Sequence, residues 1–105
     1  MQKPVPPTWQ SRYAQLPLDL QQTGLCESDM NKDGEPDPEA KNKYSTASGV
    51  FQVINGTFAW VWTEIYDTPV DWSKKNDPHV QMDIAEWLYA KYHLSPWECY
   101  TAGMM

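Results

Sequence analysis

The sequence has little of several features that mark common classes of protein. Only two of its 105 residues are cysteine, no apolar run approaches the roughly 20 residues of a membrane-spanning helix, and we find no internal repeat. Eight basic residues stand against fourteen acidic ones, and the formal net charge is −6. Because nucleic-acid binding depends on a basic surface, we expect no nucleic-acid partner. We also expect no transmembrane segment.

The length is that of a single domain, and we expect it to be a monomer. Prolines at positions 4, 6 and 7 predict an extended lead with a first turn over residues 1–17, so that residues 18–105 form the domain. Trp and Tyr are each present six times, more than a small core needs. Some of these aromatic side chains should therefore lie in a binding surface.

The two cysteines, Cys26 and Cys99, allow a single intramolecular disulfide. Such a bond closes a loop of about 74 residues, for which the chain-entropy model gives about 4 kcal/mol of stabilisation. It favours an oxidising, extracytoplasmic compartment. The alternative, two unpaired buried thiols in a cytosolic protein, stays open at this point.

Apolar spacing predicts helices joined by irregular connections. One helix runs from about Leu18 to Cys26, a second begins near Asn55 as its N-cap, and a third begins at Asp77-Pro78 and ends near His93. Their apolar stripes are Leu18, Leu25 and Cys26 in the first, Phe58, Val61, Trp62 and Ile65 in the second, and Val80, Ile84, Trp87 and Leu88 in the third. Residues 95–98 resemble a capping box that opens a final turn, and the Lys74-Lys75 pair is expected to be a solvated face.

The polar segment from Asn31 to Ser48 has no apolar period and predicts a long loop. Its start has the oxygen-donor spacing of a calcium loop, with Gly34 at the sixth position and Ala40 where the usual bidentate Glu is expected. The predicted ligands are Asp29, Asn31, Asp33, Glu35 and Asp37. The alternative is an acidic turn whose side chains bond their own backbone.

Two short motifs point to function. Cys26-Glu27-Ser28 is followed by Ser45-Thr46-Ala47-Ser48-Gly49-Val50-Phe51-Gln52 and then by Thr57-Phe58. In this order and at this distance the motifs resemble the lysozyme-like fold of lytic transglycosylases. The cysteine before the Glu and the second cysteine after Ser95-Pro96-Trp97 resemble the resuscitation-promoting factors within that superfamily.

The resemblance implies a mainly α, lysozyme-like α+β fold, a small single domain with about four to five helices, long loops and one disulfide. It implies cleavage of the β-1,4 bond between N-acetylmuramic acid and N-acetylglucosamine in peptidoglycan, with Glu27 as the general acid. The substrate-binding residues that it implies are Ser28 beside the acid, Ser48, Gly49, Gln52, Phe58 where many relatives have Trp, and Tyr89. The implied partner is the peptidoglycan glycan strand, and calcium would be structural only.

A single catalytic carboxyl limits the chemistry. Ordinary glycoside hydrolysis uses two carboxyl groups, whereas a transglycosylase needs only the acid when the substrate supplies the nucleophile. Glu27 must then be protonated, which burial at the end of a helix favours. Asp29, Glu64 and Asp83 are alternative second carboxylates. A non-catalytic, calcium-stabilised wall-binding or structural module of the same fold is the rival function.

Overall fold

The structure, a computed structural model, describes residues 8–29 and 33–104. Within these ranges it has five α-helices: α1 (Trp9–Tyr13), α2 (Leu18–Ser28), α3 (Asn55–Tyr66), α4 (Pro78–Tyr92) and α5 (Glu98–Thr101). A 3-10 helix covers Trp72–Lys74. The prediction of a small, mainly α single domain is confirmed. None of the described helices is both long enough and apolar enough to cross a membrane.

The chain before α2 is more regular than the predicted lead. Thr8 caps α1 by accepting the N–H of Ser11 at 3.1 Å, and Tyr13 is buried in the core. The Arg12 guanidinium lies 2.5 Å from Asp83 and 2.9 Å from Glu86, both on α4. Over residues 8–17 of the predicted lead and first turn, the chain forms a short helix that packs against α4. The prolines at positions 4, 6 and 7, from which the extended part was predicted, are not among the described residues. Residues 1–7 lie outside the described residues.

Helices α3 and α4 pack together and supply much of the core. α4 begins as predicted, since the Asp77 carboxylate accepts the N–H groups of His79 and Val80. α3 differs by one residue at its start: Ile54 is the N-cap and Asn55 is already helical. The Asn55 N–H is satisfied instead by Thr46 Oγ1 at 2.9 Å. The predicted capping role of Asn55 is thus wrong, although the helix is where the spacing placed it.

Residues 33–54 form no helix and contain only two isolated antiparallel bridges, Lys41 with Ser48 and Ser48 with Val53. The turn at residues 49–52 is fixed from α4 by the fully buried Gln81. Gln81 Oε1 accepts the N–H of Phe51 at 3.1 Å, and its amide donates to the Lys75 carbonyl at 2.6 Å. The turn that follows the predicted loop is therefore held in place by a side chain of α4.

The disulfide joins Cys26 in α2 to Cys99 in α5, with 6.2 Å between their Cα atoms. This confirms the predicted bond, and it brings α5 against the last turn of α2. The capping box at residues 95–98 is wrong, because Trp97 is the N-cap of α5 and makes no side-chain capping bond. Ser95 donates instead to the Tyr92 carbonyl at 2.9 Å.

Candidate active site

Three adjoining pockets form one groove where the loop of residues 41–54 meets α2 and the start of α5. We name each pocket by one lining residue. The Glu27 pocket, of about 170 Å³, is lined by Glu27, Asn42, Ser45, Ala47, Gln52, Ile54, Pro96, Trp97 and Glu98. The Thr57 pocket, of about 130 Å³, shares Gln52, Ile54, Pro96 and Trp97 with it. The Lys75 pocket, of about 300 Å³, shares Asn42, Ser45 and Ala47 with it. Since its walls are shared with both others, the Glu27 pocket is the middle of the groove.

Glu27 is the penultimate residue of α2 and is half-buried. Its Oε1 accepts the backbone N–H of Cys99 at 2.9 Å. Burial raises the pKa of the Glu27 carboxyl, the Cys99 N–H opposes this, and the negative charge of Glu98 raises the pKa further. The carboxyl therefore keeps its proton to higher pH than an ordinary glutamate, as a general acid requires.

Gln52 faces both the Glu27 pocket and the Thr57 pocket. It has a positive φ of 51°, and its amide donates to the carbonyls of Ala40 and Gly49 at 3.0 and 2.9 Å. Its Oε1 is buried and has no hydrogen-bond partner within the described part of the chain. Glu27 and Gln52 thus line one pocket.

Ser48 lies in the Lys75 pocket and not beside Glu27. Its hydroxyl donates to Asn76 Oδ1 at 2.6 Å and accepts from the Lys75 ammonium at 2.9 Å. Lys75 also donates to the Thr46 carbonyl at 3.0 Å, and burial lowers its pKa. The expectation of a solvated lysine pair therefore holds for the exposed Lys74 and is wrong for Lys75.

Two of the expected substrate-binding residues have structural roles in the interior. Ser28 is fully buried, where its hydroxyl donates to the Gly24 carbonyl at 2.8 Å and accepts the Asp37 N–H at 3.1 Å. Gly49 has a φ of +84°, and a Cβ at this position would lie 2.6 Å from Gln81 Cδ. Close packing of α4, and not the approach of a sugar, explains this glycine.

Two further expected residues lie away from the groove. Phe58 is fully buried on α3 and packs against the rings of Trp62 and Trp72, so it cannot stack on a sugar. Tyr89 donates to the Asp19 carboxylate at 2.9 Å and lines none of the three pockets. The burial of Phe58 agrees with its place in the predicted apolar stripe of the helix and contradicts the role implied by the motif. Tyr89 has no place in a predicted stripe, and only its contacts show where it lies.

Glu98 is a groove residue that was not predicted from the sequence. It follows Trp97 at the start of α5, is exposed, and lines the Glu27 pocket. A signal was present, because Glu98 precedes Cys99 and Glu27 follows Cys26, so a disulfide between these cysteines places the two carboxyls near each other.

The three alternative second carboxylates do not line the Glu27 pocket. Asp83 is engaged by Arg12 and by the Tyr66 hydroxyl, and Glu64 is exposed on α3. Asp29 accepts the N–H groups of Asp33 and Gly34 at 3.0 and 2.9 Å. Glu98 is consequently the carboxyl that shares a pocket with Glu27.

The acidic loop of the predicted calcium site is described except for residues 30–32, so Asn31 lies outside the described residues. Asp33 accepts the N–H of Glu35 at 3.0 Å, and Asp37 accepts that of Glu39 at 2.8 Å. Within residues 8–29 and 33–104, no three His, Cys, Asp or Glu side chains are grouped to hold one metal ion. The donor atoms are hard oxygens that suit calcium, but in this arrangement they bond the backbone, and the calcium site stays a prediction.

Comparison of the chain with protein-family models, with curated proteins and with solved structures found no match.

Proposed function

We propose that this domain cleaves peptidoglycan as a lytic transglycosylase or muramidase, with Glu27 as the general acid. The observation that carries the proposal is a half-buried carboxyl of raised pKa in a pocket that shares lining residues with two neighbouring pockets. The order and spacing of the motifs around Glu27 and Gln52, which resemble lytic transglycosylases, supply the substrate class. The disulfide supports an extracytoplasmic location, where a cell-wall substrate is found.

The chemistry begins with protonated Glu27 donating its proton to the glycosidic oxygen between the two sugars. The bond between that oxygen and the anomeric carbon of N-acetylmuramic acid breaks, and positive charge develops at this carbon. In the transglycosylase route the C6 hydroxyl of the same sugar attacks the carbon and returns its proton to the Glu27 carboxylate. The product is then a 1,6-anhydro sugar.

Glu98 gives a specific reason to keep hydrolysis as the second candidate outcome. An inverting or retaining hydrolase needs a second carboxyl group to act as base or nucleophile. Glu98 lines the same pocket as Glu27 and raises its pKa by its charge. In this route a water molecule replaces the C6 hydroxyl at the anomeric carbon, and the product is a reducing sugar.

The test is mass spectrometry of purified peptidoglycan digested with the wild-type protein, Glu27→Gln and Glu64→Gln. Glu27→Gln keeps an oxygen that can accept the Cys99 N–H, so we expect a folded protein whose activity is lower by about 10²- to 10⁴-fold. Glu64→Gln, which changes an exposed carboxyl outside the groove, should match the wild type. A 1,6-anhydro product identifies a transglycosylase, and a product heavier by one water identifies a hydrolase.

Two outcomes would reject the proposal. Undiminished cleavage by a folded Glu27→Gln variant would show that another group is the acid. If the wild-type protein binds peptidoglycan and releases no fragments, the non-catalytic wall-binding module becomes the better description.

A further inference from the structure

The Lys75 pocket is the largest of the three pockets that form the groove. The Lys75 ammonium is held in this pocket by two hydrogen bonds, which it donates to the Thr46 carbonyl and to Ser48 Oγ. An ammonium has three N–H donors, so one donor of Lys75 has no partner within the described residues. The pocket therefore holds a cation that is fixed in position and still able to bond a ligand.

The charge of the pocket is opposite to that of the chain. Lys41 and Lys75 both line it, and its lining contains no Asp or Glu, although the chain has a formal net charge of −6. The remaining lining side chains include neutral hydrogen-bonding groups, among them Asn42, Ser45 and Asn76. A pocket with two ammonium groups and neutral hydrogen-bonding groups is complementary to an anion that also carries amides or hydroxyls.

We propose that the Lys75 pocket binds a carboxylate of the peptide stem that projects from the glycan strand. The proposal rests on the proposed function, because the stem is attached to the same sugar whose bond Glu27 would cleave. Asn42 and Ser45 line both this pocket and the Glu27 pocket, so a glycan seated at Glu27 would place its substituents next to the Lys75 pocket. The Lys75 pocket then selects strands whose stems are present and ionised.

Burial of Lys75 is consistent with this role. Partial desolvation lowers the pKa of the ammonium, which means that the charged form is disfavoured by its surroundings in the absence of an anion. A carboxylate beside it would restore part of the lost solvation and raise this pKa. Lys75 therefore gains more from an anionic ligand than an exposed lysine such as Lys74 does.

The experiment measures the affinity of a tetrasaccharide muropeptide, which contains one bond from N-acetylmuramic acid to N-acetylglucosamine, by isothermal titration calorimetry, with the stem carboxylates either free or amidated. The protein is Glu27→Gln, so that the probe is not consumed. We expect the probe with free carboxylates to bind about five- to tenfold more tightly than the amidated probe. A difference of this size is typical of a charged hydrogen bond that is partly exposed. Lys41→Gln and Lys75→Gln should reduce this preference, whereas the neighbouring Lys74→Gln should retain it.

Lys41→Gln keeps the test independent of folding, because the Lys41 side chain is exposed. Equal affinity for the free and amidated probes overturns the proposal. So does a preference that survives both Lys41→Gln and Lys75→Gln. Competition by inorganic phosphate without a preference for the free carboxylate would assign the pocket to a phosphate of another wall polymer and would likewise overturn the proposal.

Failure of the proposed function gives a different result. If the muropeptide binds with the expected preference but the wild-type protein cleaves no peptidoglycan, the carboxylate site is supported and the enzymatic function is rejected. If peptidoglycan is cleaved equally well with free and amidated stems and the two probes bind with equal affinity, the enzymatic function is supported and the carboxylate site is rejected.

Discussion

At the scale of a single residue, the acidity of Glu27 is set by neighbours of different kinds. Burial at the end of α2 disfavours the ionised form, and the charge of Glu98 adds to this, while the N–H of Cys99 stabilises the ionised form. Burial is the largest of these effects, so the net direction is a raised pKa. An acid placed in this way remains protonated in part of the pH range where ordinary glutamates are ionised.

Glu98→Gln tests the contribution of the neighbouring charge. Removing a like charge favours ionised Glu27 and lowers its pKa, so the loss of activity as pH rises should begin at lower pH than in the wild type. The measurement is the pH dependence of kcat/KM on a soluble glycan, with Glu64→Gln as the matched control. An unchanged profile would show that Glu98 does not influence Glu27.

The same variant separates the two reaction routes. If Glu98 only tunes the acid, Glu98→Gln should keep most of its activity at low pH, where Glu27 is protonated in both proteins. If Glu98 is the base or nucleophile of a hydrolase, activity should fall at every pH by about 10²- to 10⁴-fold.

At the scale of an element, the turn at residues 49–52 is one of the segments that line the groove. It places Gln52, which has a positive φ, in the groove. Gln81 on α4 holds the turn by accepting the N–H of Phe51. The indole N–H of Trp97, just before α5, donates to the Phe51 carbonyl at 3.2 Å. The turn is therefore held by side chains from two separate parts of the chain, Gln81 and Trp97.

Gly49→Ala should destabilise this turn. A Cβ at Gly49 would sit 2.6 Å from Gln81 Cδ, and the residue has a φ of +84°. We expect the free energy of unfolding to fall by about 2 to 4 kcal/mol, from left-handed strain and overpacking together. Urea unfolding followed by tryptophan fluorescence measures the change.

The matched control is Gly56→Ala in α3, where a Cβ would meet no atom within 4 Å. This replacement should stabilise the protein slightly, by about 0.5 kcal/mol, because alanine has the higher helix propensity. Equal effects of the two substitutions would contradict the packing role assigned to Gly49.

The acidic loop after α2 is a second element whose behaviour can be tested. If it binds calcium, the melting temperature should rise with calcium concentration, since a ligand that binds only the folded state stabilises it. Asp33→Asn should remove this effect while keeping an oxygen that accepts the Glu35 N–H. Absence of both calorimetric heat and a shift in melting temperature would leave the acidic turn as the correct interpretation.

At the scale of the whole molecule, the disulfide joins the two ends of the groove-forming chain. Cys26 and Cys99 are 73 residues apart in sequence, and Glu27 and Glu98 lie next to them. The N–H that Glu27 accepts belongs to Cys99 itself. The disulfide therefore lies directly beside the proposed acid and beside the N–H group that this acid accepts.

Replacing both cysteines by serine should lower the free energy of unfolding by about 2 to 5 kcal/mol, because the unfolded chain loses its cross-link. Urea unfolding of the double variant and of the wild type without reductant gives the comparison. The wild type in reductant should approach the variant. A difference below about 1 kcal/mol would mean that the disulfide adds little to the constraint already imposed by packing.

Much of the fold was predictable from local pattern. The spacing of Phe58, Val61 and Trp62 located α3, and Asp77-Pro78 located the start of α4. Helix α1 was missed, because it is only five residues long and its stability depends on Arg12 and Tyr13 meeting other parts of the domain. Short helices of this kind have no strong sequence signal of their own.

The sequence by itself determined the helices with clear apolar periods and the single possible disulfide, and it proposed Glu27 as the acid. Only the tertiary structure decided which of the polar and glycine motif residues face the groove: Gln52 does, whereas Ser28 and Gly49 are buried. It also brought Glu98 beside Glu27 and Lys75 into the adjoining pocket. The physical reason is that helix formation depends on local residue type and spacing, and two cysteines allow only one intramolecular bond, whereas exposure and shared pockets depend on contacts between segments far apart in sequence.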